Sequence, residues 1–212
     1  MKFEDHLKEA LLDNFPKDRI TFVKGWRKRN TGSWRGPKRQ PVALVHHHTA
    51  GARTDSKDPD HPGNKKGANA GVVNYCIQRN NSVPYCNFVA DRDGHLYVLA
   101  AGPVWHAGLG DFPKRSRFAK LRVPRNQGNS YMAGVEIVSK GMKRDFTKMQ
   151  LDCIDRLNVS MIEATGWKGF WRRTPNHKDW APKRKIDTRY SFNKWRRRAV
   201  RALRRKRKYG AI

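Results

Sequence analysis

"VALVHHHTAG" (residues 42–51) places three consecutive histidines at the end of an apolar run. The apolar start predicts a central, buried β-strand over residues 42–48. An expression tag fits poorly, because the histidines are internal and continue the hydrophobic stretch. Side chains alternate between the two faces of a strand, so we expect His47 to point away from His46 and His48.

The rest of the pattern predicts an α/β fold, with a single mixed central β-sheet flanked by α-helices. Hydrophobic periodicity, turn residues and capping signals define these further elements. They are a helix over residues 4–15, a basic glycine-rich loop over 24–40, a loop over 52–71, a hairpin over 87–101, a strand over 131–139, a helix from the Thr147–Gln150 capping box to Gly166, and a basic tail partly docked as a helix over 189–208.

The charge of the chain is far from balanced. Its 212 residues include 46 Lys or Arg against 18 Asp or Glu, a formal net charge of +28. Such an excess predicts a polyanionic partner, and nucleic acid, anionic lipid and acidic wall polymers all qualify. The tail over residues 189–208 has no acidic residue, and a solvated basic face is the simplest explanation of it.

Other classes of protein are disfavoured by composition. Three cysteines without a CxxC pair predict neither a disulfide framework nor a zinc finger. No run of about 18 apolar residues predicts a membrane span. The first fifteen residues lack the apolar stretch of a secretory signal, so we expect synthesis in the cytoplasm without export by a leader.

A second cluster, "NHKDWAPKRKIDTRY" (residues 176–190), contains His177, Lys185 and Asp187. Together with His47, it offers two imidazoles and one carboxylate. With a fourth position left for water, that is the ligand count of a catalytic zinc site. From the residues alone a structural role stays open, because a single buried histidine at a strand end is more often structural than a ligand.

Four stretches of the chain together resemble one known family. In order they are "VHHHTAG", "DRDGHLYVLAAGPVWHAG", "AGVEIVS" and "HKDWAPKRKID". They are similar to the zinc-dependent type 2 N-acetylmuramoyl-L-alanine amidases, a family that includes the peptidoglycan recognition proteins and phage endolysins. The resemblance covers roughly residues 40–190 and is greatest to endolysins of phages that infect actinobacteria. It implies the zinc amidase fold.

The resemblance also implies a set of metal ligands. The family ligand two places before the threonine of its "HHTAG" stretch matches His47, and the second ligand histidine matches His177. The third ligand, an acidic residue or cysteine two positions after a lysine, matches Asp187. One Zn²⁺ ion is therefore the expected cofactor.

Further residues take their roles from the same comparison. Glu136 matches the general base of the bacterial amidases, and Lys185 is expected to stabilise the oxyanion. His106 aligns with a substrate-binding histidine, and its neighbour Trp105 is expected to contact substrate as well. Cys86 stands where some relatives have a catalytic tyrosine, so proton transfer is assigned to Glu136.

The sequence therefore predicts an N-terminal extension (1–40), a zinc amidase domain (41–190) and a basic helical tail (191–212). The expected function is hydrolysis of the bond between N-acetylmuramic acid and L-alanine by a monomeric phage endolysin. Peptidoglycan is the expected partner, with anionic wall polymers on the basic tail and no specific nucleic acid. A nucleic-acid-binding protein and a non-catalytic peptidoglycan-binding module remain alternatives.

Overall fold

The structure is a computed structural model. It describes residues 2–49, 70–78, 83–139, 141, 145–169, 172–188 and 190–210. Most of the predicted loop over 52–71 lies outside the described residues.

Six α-helices and five β-strands are found in the described part of the chain. The helices are α1 Phe3–Asn14, α2 Ala70–Gln78, α3 Gly128–Tyr131, α4 Lys148–Thr165, α5 His177–Trp180 and α6 Phe192–Tyr209. The strands are β1 Ile20–Phe22, β2 Ala43–His48, β3 Phe88–Ala90, β4 Leu96–Val98 and β5 Met132–Ile137.

The strands form one mixed sheet in the order β1-β4-β3-β5-β2. β2, β5 and β3 are mutually parallel, β4 runs antiparallel to β3, and β1 is parallel to β4. The structure therefore confirms the predicted mixed sheet and the hairpin. It also confirms the strand that carries the three histidines and the strand that carries Glu136. The carboxyl ends of β2 and β5 lie side by side, and such an edge is where open α/β sheets bind ligands.

Helices α1, α4 and α6 cover one face of the sheet. Their apolar residues share a core with inward-facing strand residues, including Leu44, Val135 and Ile137. Helix α4 has the predicted capping box, since Thr147 Oγ1 accepts a hydrogen bond from the backbone N–H of Gln150 at 3.0 Å. The basic tail docks through Trp195, which is fully buried.

The other face of the sheet is covered by α2, α5 and the segment over residues 104–125. Val45 and Met132 pack there against Trp180 and Phe112. Val89 packs in a neighbouring cluster with residues of α2. The buried side chain of His47 projects from this second face, so the candidate site lies on it.

Four elements were not predicted from the sequence, the strand β1 and the helices α2, α3 and α5. β1 has only three residues and forms because it pairs with β4, which lies 76 residues further along the chain at Leu96. In the described residues, no helix has the length and apolar character needed to cross a bilayer. The division of the chain at residues 40 and 190 stays a prediction.

Candidate metal centre

His47 is positioned by the pairing of β2 with β5. It is in register with Glu136, so both side chains project from the same face of the sheet. His46 projects from the other face, where its ring stacks on Trp195 with centroids 4.5 Å apart. The structure confirms the alternation predicted for these neighbouring histidines.

His177 opens helix α5, next to the strand that carries His47. The segment before it runs along β2, where the N–H of His46 donates to Pro175 O at 2.9 Å. The N–H of Lys178 then donates to Asp187 O at 2.7 Å. These backbone bonds bring Asp187 back beside the start of α5, ten residues after His177.

The three predicted ligands meet in one buried cluster. His47 Nδ1 lies 2.9 Å from His177 Nδ1, and Asp187 Oδ2 lies 3.1 Å from His177 Nδ1. Asp187 Oδ2 is also 3.5 Å from His47 Nδ1. One potential ligand atom from each residue lies within 4.8 Å of the other two.

The ring of His177 has a fixed orientation. Its Nε2 lies 3.0 Å from the carbonyl oxygen of Ala107. A carbonyl oxygen can only accept, so Nε2 carries the proton and donates it. In the neutral ring, Nδ1 of His177 therefore presents a lone pair to the cluster.

The ring of His47 is fixed through His106. Nε2 of His106 lies 2.6 Å from Met132 O and must donate to it, which leaves Nδ1 of His106 as an acceptor. Nε2 of His47 lies 3.0 Å from that Nδ1 and donates to it. Burial lowers the pKa of His106 to about 3, so its ring carries a single proton. Nδ1 of His47 is consequently a second lone pair that points into the cluster.

Three acceptor atoms thus converge, two imidazole lone pairs and one carboxylate oxygen. Burial and the nearby His177 lower the pKa of His47, which favours the neutral ring that binds metals. A cation relieves the mutual repulsion of these acceptors, and zinc suits this N₂O donor set.

Glu136 and Lys185 lie beside the cluster. Oε2 of Glu136 is buried and has no hydrogen-bond partner among the described residues. Burial raises the pKa of the Glu136 carboxyl to about 8, and the charge of Asp187 adds to this effect. The positive charge of Lys185 opposes this rise in the pKa of Glu136.

Comparison with known proteins agrees with this geometry. The family model described as N-acetylmuramoyl-L-alanine amidase, type 2, matches residues 37–190, more than half of the chain. The chain belongs to this amidase family. No curated protein matches the chain by sequence.

Solved structures share the fold of this amidase-family protein. PGRP-Hd from Alvinella pompejana has 14% identity and a TM-score of 0.50, covering 78% of this chain and 90% of its own. The Ph2119 endolysin from a Thermus scotoductus bacteriophage has 14% identity and a TM-score of 0.51. That match covers 85% of this chain and 99% of the endolysin. AmiD from E. coli, solved with an anhydro-N-acetylmuramic acid peptide, has 16% identity and a TM-score of 0.52. That match covers 77% of this chain and 60% of AmiD.

In this amidase-family protein, the remaining predicted residues lie on the segment that precedes α3. Trp105 is half exposed, with 51% of its surface accessible. His106, by contrast, uses both ring nitrogens on protein partners, Met132 O and His47. Contact of Trp105 and His106 with substrate stays a prediction.

Sequence reasoning missed the residues that hold this segment in place. Asn129 Oδ1 accepts hydrogen bonds from the N–H groups of His106 and Ala107 at 3.1 and 2.7 Å. A Cβ atom at Gly134 would lie 2.5 Å from His106 Nδ1, so the glycine leaves room for that ring. Both residues sit in or near the quoted "AGVEIVS" stretch, but only the tertiary contacts reveal their part in the site.

Cys86 is a free, buried cysteine. Burial raises the pKa of its thiol well above the usual value, and the neighbouring thiol of Cys76 acts in the same direction. The thiolate form that reacts and binds metals is therefore suppressed. The structure agrees with an inert, packing role for Cys86.

Proposed function

We propose that this chain is a zinc-dependent N-acetylmuramoyl-L-alanine amidase that hydrolyses the amide between N-acetylmuramic acid and L-alanine in peptidoglycan. The observation that carries the proposal is the convergence of His47, His177 and Asp187, with both imidazole lone pairs directed into the cluster. Membership of the amidase family supports the same activity. Three protein ligands leave one tetrahedral position open, as hydrolysis requires.

The proposed chemistry is addition of water to the lactyl carbonyl. Zinc held by the three ligands would polarise that carbonyl and lower the pKa of water. Glu136 takes the water proton as general base, since its unpartnered Oε2 lies on the same face as His47. It then returns the proton to the amide nitrogen, so that the products are a free lactyl carboxylate and the amine of L-alanine.

Lys185 and Trp105 have supporting roles in this proposal. The Lys185 ammonium, close enough to influence the pKa of Glu136, stabilises the oxyanion of the tetrahedral intermediate. The half-exposed indole of Trp105 offers an apolar surface for the substrate beside the segment that contacts His47.

We also infer that the enzyme is a monomeric phage endolysin that is made in the host cytoplasm and acts on the wall after the membrane is permeabilised. The support is the motif resemblance to endolysins of actinobacterial phages. A fold shared with the Thermus phage Ph2119 endolysin over most of both chains is consistent with it.

The test is incubation of the protein with purified peptidoglycan. We expect new L-alanine amino termini from the zinc-loaded wild type, and none after chelation or with His177→Ala. His95→Ala is the matched control, since His95 lies away from the cluster and contacts Thr21. New reducing sugar ends instead of amino termini would overturn the proposal.

The two alternatives give different results in the same assay. A non-catalytic peptidoglycan-binding module would sediment with walls but release no amino termini with any metal. A nucleic-acid-binding protein would show neither behaviour and would shift nucleic acid at physiological salt more strongly than an unrelated protein of similar charge. Nucleic-acid binding does not explain why two histidines and an aspartate are gathered in one buried cluster.

A further inference from the structure

The face of the sheet opposite the metal centre carries a second feature. An open cavity of about 1010 Å³ lies between α4 and α6, and it is also lined by residues that follow α1 and by the β3–β4 turn. We call it the cationic groove, because its walls present eight basic and three acidic side chains. It is defined by its basic residues on α4 and α6, which are Lys148, Arg156, Arg198, Arg201, Arg204, Arg205 and Lys208.

Only part of this positive charge is neutralised within the fold. Asp152 accepts from Arg156 Nε at 2.8 Å, and Asp155 accepts from Arg198 at 2.7 and 3.1 Å. These ion pairs use two of the three acids. In the part of the chain that the structure describes, no ion pair is formed by four of the remaining basic groove residues, Lys148, Arg201, Arg204 and Arg205.

The basic groove residues of α6 are spread along the helix rather than clustered at one position. Arg198, Arg201, Arg205 and Lys208 recur at helical spacing on one side of the helix. They span about 15 Å along the axis, at 1.5 Å per residue. A line of this length matches a chain with repeated negative charges better than a single small anion. Arginine also binds phosphate oxygens in a bidentate manner.

We propose that the cationic groove binds an anionic phosphodiester polymer of the bacterial envelope, with a polyol-phosphate backbone, and so holds the enzyme on the wall. The choice of an envelope polymer rests on the proposed function, because the substrate lies in the same layer. Since the groove and the metal centre are on opposite faces of the sheet, the bound polymer leaves the metal centre open.

The groove is poorly suited to single-stranded nucleic acid. Such binders stack bases on exposed aromatic side chains. The aromatic residues that line the groove are Phe15, which is buried, and Tyr209, which is exposed and is the last residue of α6, so the groove offers successive bases a single ring at one end. A polymer without bases needs only the basic side chains.

The groove is also poorly suited to a membrane surface. An interfacial helix turns its apolar face to the lipid. In α6 that apolar face is directed inward, because Trp195, Ala199 and Leu203 are all buried against the protein. The basic face is concave, so it can enclose a flexible chain but cannot lie flat on a bilayer.

The test compares two triple variants of the full chain for binding of poly(glycerol phosphate). Arg201→Gln/Arg204→Gln/Arg205→Gln removes three exposed groove charges. The matched control, Arg196→Gln/Arg197→Gln/Arg207→Gln, removes three exposed charges from the same helix outside the groove. Both variants lose the same net charge and leave the buried residues of α6 unchanged.

We expect the groove variant to bind the polymer at least tenfold more weakly at physiological ionic strength, and the control to bind nearly as the wild type does. The slope of log affinity against log salt should fall by about 2 in the groove variant, since each single-strand phosphate contact contributes about 0.7. Equal losses in both variants would overturn the proposal, because net charge alone would then explain binding.

Two further probes exclude other partners. Oligo(dT) and vesicles of phosphatidylglycerol are titrated under the same conditions as the polymer. Binding of either as tight as that of poly(glycerol phosphate), with the same loss in the groove variant, would overturn the assignment to an envelope polymer.

Failure of the groove and failure of the proposed amidase activity are distinguishable. The groove variant should cleave a soluble muropeptide as fast as the wild type, because none of its substitutions touches the metal centre. If the wild type and both variants fail to bind the polymer but still cleave the muropeptide, only the proposed polymer binding is overturned. Polymer binding without any cleavage by the wild type would overturn only the amidase activity.

Discussion

At the scale of single residues, the site depends on a chain of hydrogen bonds behind its ligands. Met132 O accepts from His106, and His106 accepts from His47. This relay fixes the tautomer of His47, and Ala107 O does the same for His177. Partners of this kind orient metal-binding imidazoles and raise their basicity. In the proposed metal site, His106 is therefore a positioning residue for His47.

We predict that His106→Ala weakens zinc affinity about 10-fold to 100-fold, the usual cost of removing such a partner. The variant leaves Nε2 of His47 without an acceptor, so the ring can rotate or change tautomer. Zinc affinity is measured by competition with a chromogenic chelator. His106→Gln should restore part of the affinity, because its amide can accept from His47 and donate to Met132 O.

Gly134→Ala provides an independent check on that role. It alters no polar group, but its Cβ would lie 2.5 and 2.6 Å from Nδ1 and Cγ of His106 and must displace the ring. Zinc affinity should fall as in His106→Ala. His95→Ala serves as the unaffected control. Unchanged zinc affinity in both site variants would show that His106 does not position the metal ligand.

We predict a different result for Glu136→Gln. The amide is nearly isosteric but cannot take a proton, so kcat should fall about 10²-fold to 10⁴-fold. Zinc affinity, measured in the same competition assay, should stay within a fewfold of the wild type. A large loss of zinc affinity, or full activity, would show that Glu136 is not the general base.

The clustering of His47, His177 and Asp187 was predictable because their sequence contexts resemble those of a known family. The alternation of His46 and His47 followed from strand geometry alone. The relay through His106 was not predictable, because it joins a loop residue to two strands that are distant in sequence. The roles of Asn129 and Gly134 likewise depend on contacts that only the folded chain makes.

At the scale of elements, α4 shows how local signals define a helix. Its capping box, its apolar stripe and Gly166, with φ of +64°, mark its two ends within the chain itself. Thr147 Oγ1 accepts from the N–H of Gln150 and donates to Arg92 O at 2.8 Å. The cap thus also ties α4 to the β3–β4 hairpin.

We predict that Thr147→Ala lowers the free energy of unfolding by about 1–2 kcal/mol, as expected for loss of a helix N-cap. The measurement is urea denaturation. Ser191→Ala is the matched control, since Ser191 precedes α6 but its side chain makes no capping hydrogen bond. Equal losses in the two variants would contradict the capping role.

Elements without local signals were missed. β1 is three residues long and is stabilised by pairing with β4, a contact that no local pattern reveals. Helix α2 has no acidic residue in its first turn and no basic residue in its last turn, so no charge pattern marks its ends. The long helices and the strands of the hairpin were found because their periodicity is set by burial against the sheet.

At the scale of the whole molecule, the two faces of the sheet carry different functions in our account. One face holds the metal cluster, and the other holds the cationic groove. The net charge of +28 was evident from composition, but its concentration between α4 and α6 was not. Only packing of the tail against α4 creates a concave surface from residues distant in sequence.

We predict that clearing of purified walls slows as ionic strength rises from low to physiological salt, because screening shortens the Debye length to about 8 Å. Cleavage of a soluble muropeptide should change little over the same range. The two rates are measured in parallel on one preparation. Salt-independent clearing of walls would contradict electrostatic attachment.

The central claim is that His47, His177 and Asp187 hold one zinc ion, and X-ray absorption at the zinc edge tests it most directly. We expect one zinc per chain, with two nitrogen ligands at about 2.0–2.1 Å and protein oxygen at about 2.0–2.2 Å. His177→Ala should lose the ion. Substoichiometric zinc, or a shell containing sulfur, would contradict the account.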